Sequence, residues 1–150
     1  MHLVAYPHFL IIPKMYRTLL IICLLLSLTA CHDKGRVVEP KPGPAHLMLL
    51  KTEYNFGIVT DKQATVVREI PLINDGSEPL TITDVQTSCH CLSAEVSPEP
   101  IAPGHYTQLK ATLVVSDVSV GDYMRTIDIK TSDGNVTTIT VTGSKIASNP

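Results

Sequence analysis

Thr65-Val66-Val67-Arg68-Glu69-Ile70-Pro71-Leu72-Ile73-Asn74-Asp75-Gly76-Ser77-Glu78-Pro79-Leu80-Thr81-Ile82-Thr83-Asp84-Val85 decides the fold class. Residues 65–74 are rich in β-branched side chains and alternate, with Ile70 and Leu72 on one face. Asn74-Asp75-Gly76-Ser77 is a turn signal: Asn and Asp hydrogen-bond their own backbone, and Gly tolerates tight geometry. Residues 80–85 alternate again. The expectation is a tight turn over residues 74–79 joining two antiparallel strands, with Ile70, Leu72, Leu80 and Ile82 facing one core.

The same grammar extends in both directions. Residues 47–51 form a short apolar run, and residues 54–58 alternate around Gly57. Residues 92–96 are short. Pro98, Pro100, Pro103 and Gly104 mark a loop. Residues 106–115 alternate through Leu109, Ala111 and Leu113. Residues 123–131 alternate through Ile127 and Ile129. Ser132-Asp133-Gly134-Asn135 reads as a hairpin turn, and residues 136–143 alternate through Ile139 and Val141. Seven or eight short strands without a usable helix indicate an all-β two-sheet sandwich or small barrel. Burial on one face of each strand fits an antiparallel sandwich. With five Tyr, two Phe and no Trp, aliphatic side chains must build the core.

The chain has 150 residues, 17% of them charged, and a formal net charge of −2. That is one domain with extensions. The twelve basic residues form no cluster, which argues against a nucleic-acid partner. Residues 1–30 read as a lipoprotein signal peptide. The apolar run over residues 19–28 is too short to span a bilayer but suits a signal-peptide core, with Arg17 before it and Thr29-Ala30 after it. Met15 offers an alternative translation start. Leu28-Thr29-Ala30-Cys31 resembles the lipobox of bacterial lipoproteins, so Cys31 is the expected lipidation site, giving the membrane as a partner. Residues 31–45 hold Gly35, Pro40, Pro42, Gly43 and Pro44 and read as an extended tether. The sandwich is expected over residues 46–146, with residues 147–150 as a tail.

Three stretches, taken in order, resemble one family. They are Tyr54-Asn55-Phe56-Gly57-Ile58-Val59; Asn74-Asp75-Gly76-Ser77-Glu78-Pro79-Leu80-Thr81-Ile82; and Thr87-Ser88-Cys89-His90-Cys91-Leu92 followed by Ile101-Ala102-Pro103-Gly104. The chain is similar to the bacterial domain of unknown function 1573 family. His90 stands where that family has glycine, and Leu92 where it has threonine. The resemblance implies an immunoglobulin-like sandwich, akin to major-sperm-protein and chaperone-type β domains. It also implies export, often as a lipoprotein in bacteria related to Bacteroides, and it names no activity.

Cys89-His90-Cys91 is the one concentrated site. In an extended strand both thiols share a face, with Cα atoms about 6.5–7 Å apart, so a bridge between them needs a local bend. Three readings stay open: a structural bridge or close thiol pair; a copper(I) site on Cys89 and Cys91 with His90 or His105; and a thiol-redox site. No phosphate loop, H-E-x-x-H, G-x-S-x-G or paired-carboxylate motif is present, so no enzyme is expected. The reading is a lipid-anchored, non-catalytic interaction module without a cofactor. It belongs in the bacterial cell envelope, on the outer membrane facing the periplasm, with an envelope protein as partner. The alternative is a copper-binding or thiol-redox protein acting through Cys89 and Cys91.

Overall fold

The computed structural model describes residues 35–148. The signal-peptide reading and Cys31 lie outside the described residues, as do residues 149–150 of the expected tail. Eight strands follow in order: β1 (Leu47–Leu49), β2 (Glu53–Thr60), β3 (Thr65–Asn74), β4 (Ile82–Thr87), β5 (Leu92–Glu95), β6 (Tyr106–Val114), β7 (Gly121–Thr131) and β8 (Val136–Ile146). They form two four-stranded sheets, ordered β1-β3-β6-β5 and β2-β8-β7-β4. The alternating positions fill the space between the sheets. Ile70, Leu72, Leu109, Leu113, Ile127 and Ile139 are all fully buried, so the core is aliphatic as the composition requires. A short 3-10 turn at Val115–Asp117 links β6 to β7.

The turn after β3 differs from its sequence reading in one respect. Ile70, Leu72, Leu80 and Ile82 do share one core. However, β3 and β4 are not paired: β3 lies in one sheet and β4 in the other. Residues 75–81 cross between the layers. Period-2 alternation specifies which side chains turn inward, and it is blind to which sheet receives the strand. Leu80 precedes β4 and makes an isolated bridge with Ile101, donating to its carbonyl at 3.0 Å and accepting from its N–H at 2.7 Å.

The sandwich is not wholly antiparallel. β2 runs parallel to β8, with a register shift between Asn55 and Ile58. β1 pairs with β3 in the opposite sheet, so the chain switches sheets between Leu49 and Glu53.

The tether reading of residues 31–45 does not hold over residues 35–45. Val37 N–H donates to Gly104 O at 2.8 Å, Lys41 N–H to Asp75 O at 2.7 Å, and Ser77 N–H to Gly43 O at 3.3 Å. Ala45 is buried. The prolines keep this segment extended, but its backbone groups bond to the domain instead of to water. Two glycines make room for it. A Cβ on Gly76 would stand 2.1 Å from Pro44 O, and one on Gly104, whose φ is +76°, 2.5 Å from Val38 O. Gly76 therefore serves close approach, not a left-handed backbone.

The Cys89–Cys91 turn as candidate functional site

β4 ends at Thr87 and β5 begins at Leu92, in different sheets. The chain must turn between layers within Ser88-Cys89-His90-Cys91. Ser88 fastens the turn to β7: its N–H donates to Thr126 O at 3.0 Å, and its hydroxyl accepts from Thr126 N–H at 2.9 Å. Cys91 O accepts from Val114 N–H at 2.8 Å, which fastens the other side to β6.

Within this turn Cys89 and Cys91 are joined by a disulfide, their Cα atoms 5.2 Å apart. The bend brings them below the separation that a fully extended Cys-x-Cys would have. The two sulfurs have unequal surroundings. Cys91 is 3% exposed, Cys89 is half-buried, and His90 is exposed.

Arg125 completes the group. It stands on β7 in phase with buried Tyr123 and Ile127, so its side chain starts toward the interior. Its Nε donates to Cys91 Sγ at 3.4 Å, and a terminal nitrogen donates to Met124 O at 2.8 Å. Among the described residues no carboxylate pairs with it. Burial pushes the Tyr123 phenol up, against the nearby charges of Arg68 and Arg125. Tyr123 Oη is also the one buried side-chain polar atom without a partner among the described residues. Sequence reasoning missed Arg125, although the signal existed: a cation at an inward position of an otherwise apolar alternation.

The copper(I) set is not assembled. The two sulfurs are bonded to each other. His105 precedes the first residue of β6, whereas Cys91 pairs at its last, Val114. Nine residues of strand separate them by about 30 Å. Among the described residues no group of three His, Cys, Asp or Glu is placed to hold a metal ion.

At that opposite end lies a second polar cluster. Asp75 is 2% exposed, and its carboxylate accepts from Lys41 Nζ at 2.7 Å and bonds His46 Nδ1. Burial pushes its carboxyl up, but the hydrogen bonds and charges of Lys41 and His46 outweigh that and hold it below the ordinary value. These residues border a cleft of about 740 Å³ between residues 41–46 and the turn at residues 132–135. The groups on its rim bond to one another, so the cluster fixes the N-terminal segment.

The family described as "Protein of unknown function (DUF1573)" matches residues 47–144, nearly the whole sandwich. The chain belongs to the DUF1573 family. No curated protein matches it. Among solved structures, this DUF1573 domain is similar to a protein of unknown function from Porphyromonas gingivalis, at 21% identity and a TM-score of 0.57. That match covers 75% of this chain and 51% of the other, so the chain spans about half the length of that relative. The ASH/PapD-like domain (PapD-like domain 7) of human CEP192 is 10% identical with a TM-score of 0.59, over 78% of this chain and 98% of that one. The YadV chaperone is 15% identical with a TM-score of 0.50, over 69% and 55%. At these identities the likeness establishes an immunoglobulin-like, PapD-like fold. The fold class inferred from the strand pattern and the family resemblance is the observed one.

Proposed function

We propose that this DUF1573 protein is a lipid-anchored, non-catalytic module of the bacterial envelope that binds an extended segment of a partner protein along β2. The observation that carries this reading is the character of the four sheet edges. β1, β5 and β4 have three, four and six residues. β2 has eight, and among the described residues β8 is its only sheet neighbour. Edges are commonly blunted by shortness, Lys, Pro or a bulge; of these β2 has only the bulge, between Asn55 and Ile58. Glu53-Tyr54-Asn55-Phe56-Gly57-Ile58-Val59-Thr60 has neither Lys nor Pro and exposes Ile58. A partner strand would add main-chain hydrogen bonds along this edge, and an apolar residue on it would cover Ile58. The lipobox at Leu28 to Cys31 supports the anchor, and His32-Asp33-Lys34-Gly35 after it, which lacks an acidic run, supports the outer membrane's periplasmic face.

Two measurements test the two halves. Cys31→Ser moves the protein to the soluble fraction or leaves the signal uncut; normal processing with retained membrane attachment overturns the anchor. A photo-crosslinking residue at Ile58 of the membrane-bound chain gives a discrete adduct, whereas the same residue at Glu95 on β5 gives none. Adducts from both edges, or from neither, overturn the β2 reading.

A further inference from the structure

We propose that the Cys89–Cys91 disulfide is a thiol–disulfide exchange site, entered at Cys89 Sγ, with Arg125 holding the thiolate that leaves on Cys91.

Three observations converge on this. The first is topological. The bridge joins residues with one residue between them, in a turn whose ends are already fastened to β6 and β7. Bridges that close long loops restrict the unfolded chain most, and this ring restricts it little. As a staple it has scant purpose. The second is the asymmetry of exposure: Cys89 is half-buried beside an exposed His90, and Cys91 is sealed. Of the two, Cys89 is the residue open to an attacking thiolate. The third is Arg125. A neutral disulfide sulfur is a weak acceptor and gives no reason to place a guanidinium 3.4 Å away, without a carboxylate partner, at an inward position. A thiolate at Cys91 gives that reason. An adjacent cation favours the ionised thiol, and a stabilised thiolate leaves faster.

The reactant is a dithiol, on a protein or a small molecule. Its thiolate attacks Cys89 Sγ. A new S–S bond forms to Cys89, the Cys89–Cys91 bond breaks, and its electron pair departs on Cys91 Sγ beside Arg125. The second thiol of the reactant, deprotonated, attacks the sulfur bound to Cys89 and releases Cys89 as a thiolate. The reactant becomes a disulfide. Its two electrons and two protons pass to Cys89 and Cys91. The proposal does not depend on the β2 edge or on the anchor.

The test uses the full chain in detergent, with dithiothreitol as the dithiol and oxidised glutathione as a trapping disulfide. In Cys91→Ser, oxidised glutathione is expected to load Cys89 readily. In Cys89→Ser, it should load buried Cys91 at least about tenfold more slowly; equal loading, or faster loading at Cys91, overturns the entry point. Arg125→Gln should slow reduction by dithiothreitol about tenfold, the effect of roughly two units in the leaving thiol at a Brønsted sensitivity near one half. Arg125→Lys should recover most of the rate. A rate within about twofold of wild type in a folded Arg125→Gln protein overturns the role of Arg125. The reduced wild-type protein gives a reading that no substitution can spoil. Ultraviolet titration should show one thiol ionising well below the usual value of about 8.5. Two thiols ionising at or above that value overturn the proposal.

Discussion

Asn74→Ala removes the post on which the crossing between sheets is built. The Asn74 side chain is fully buried and makes four bonds. Nδ2 donates to Glu78 O at 2.7 Å and to Ile101 O at 2.9 Å. Oδ1 accepts from Gly76 N–H at 3.0 Å and from His46 N–H at 3.4 Å. The last is long and counts for little. Ile101 O keeps a second donor, Leu80 N–H, so it is not stranded by the change. With about 1 kcal/mol net for each bond made and about 1–3 for a buried group left unpaired, the expected loss is about 3 kcal/mol. In a domain of this size that lowers Tm by roughly 12 °C. Thermal and urea denaturation followed by circular dichroism measure it. Asn74→Asp sharpens the test, because it keeps the shape but points a carboxylate at the carbonyls of Glu78 and Ile101. Burial there raises the folded-state pKa of the new carboxyl. The folded state then binds more protons than the unfolded one, so the variant gains stability as pH falls through that raised value. An Ala variant that loses less than about 1 kcal/mol, the worth of a single hydrogen bond, would refute the reasoning. So would an Asp variant indifferent to acid.

Asp75 has the opposite sign. Its carboxyl is held below the ordinary value by Lys41 and His46. Its contribution is therefore fully present above the unfolded value of about 3.9 and is lost as pH falls through the lower folded value. The urea midpoint of the wild type should drop across that acid range, and Asp75→Asn should flatten the drop. Lys145→Met removes a buried ammonium that donates to Val115 O at 3.0 Å and Val118 O at 2.9 Å and pairs with Asp61 at 2.8 Å; the expected loss is about 2–4 kcal/mol by urea denaturation. Leu80→Ala, at a fully buried leucine, should lose about 2–5 kcal/mol by the same measurement.

The inward faces of β3, β6, β7 and β8 were legible because apolar residues recur at every second position over their central stretches and fill the core. Sheet membership was not. The turn at residues 74–79 has the chemistry of a hairpin, and the bonds that hold its crossing to the other layer, the Leu80–Ile101 bridge and Asn74 to Ile101 O, come from a residue distant in sequence. The parallel pairing of β2 with β8 is equally silent, since alternation looks the same in either direction. Residues 35–45 were misread because proline dictates an extended backbone without saying what accepts its bonds. At the candidate site, Cys89 and Cys91 announced themselves by spacing. Arg125 showed only as a cation at an inward position; its partner, a sulfur 34 residues away in sequence, did not show at all.

The position of β8 governs when the domain can exist. It is the last of the described strands in chain order, yet it sits inside its sheet, between β2 and β7. A nascent chain that stops short of residue 136 can pair β3 with β6 and β4 with β7, but β2 has no strand beside it, and Ile139 and Val141 are missing from the core. Sheets closed by contacts so distant in sequence form late. Until β8 takes its place the sandwich stays open along β2, so the domain closes in one late step.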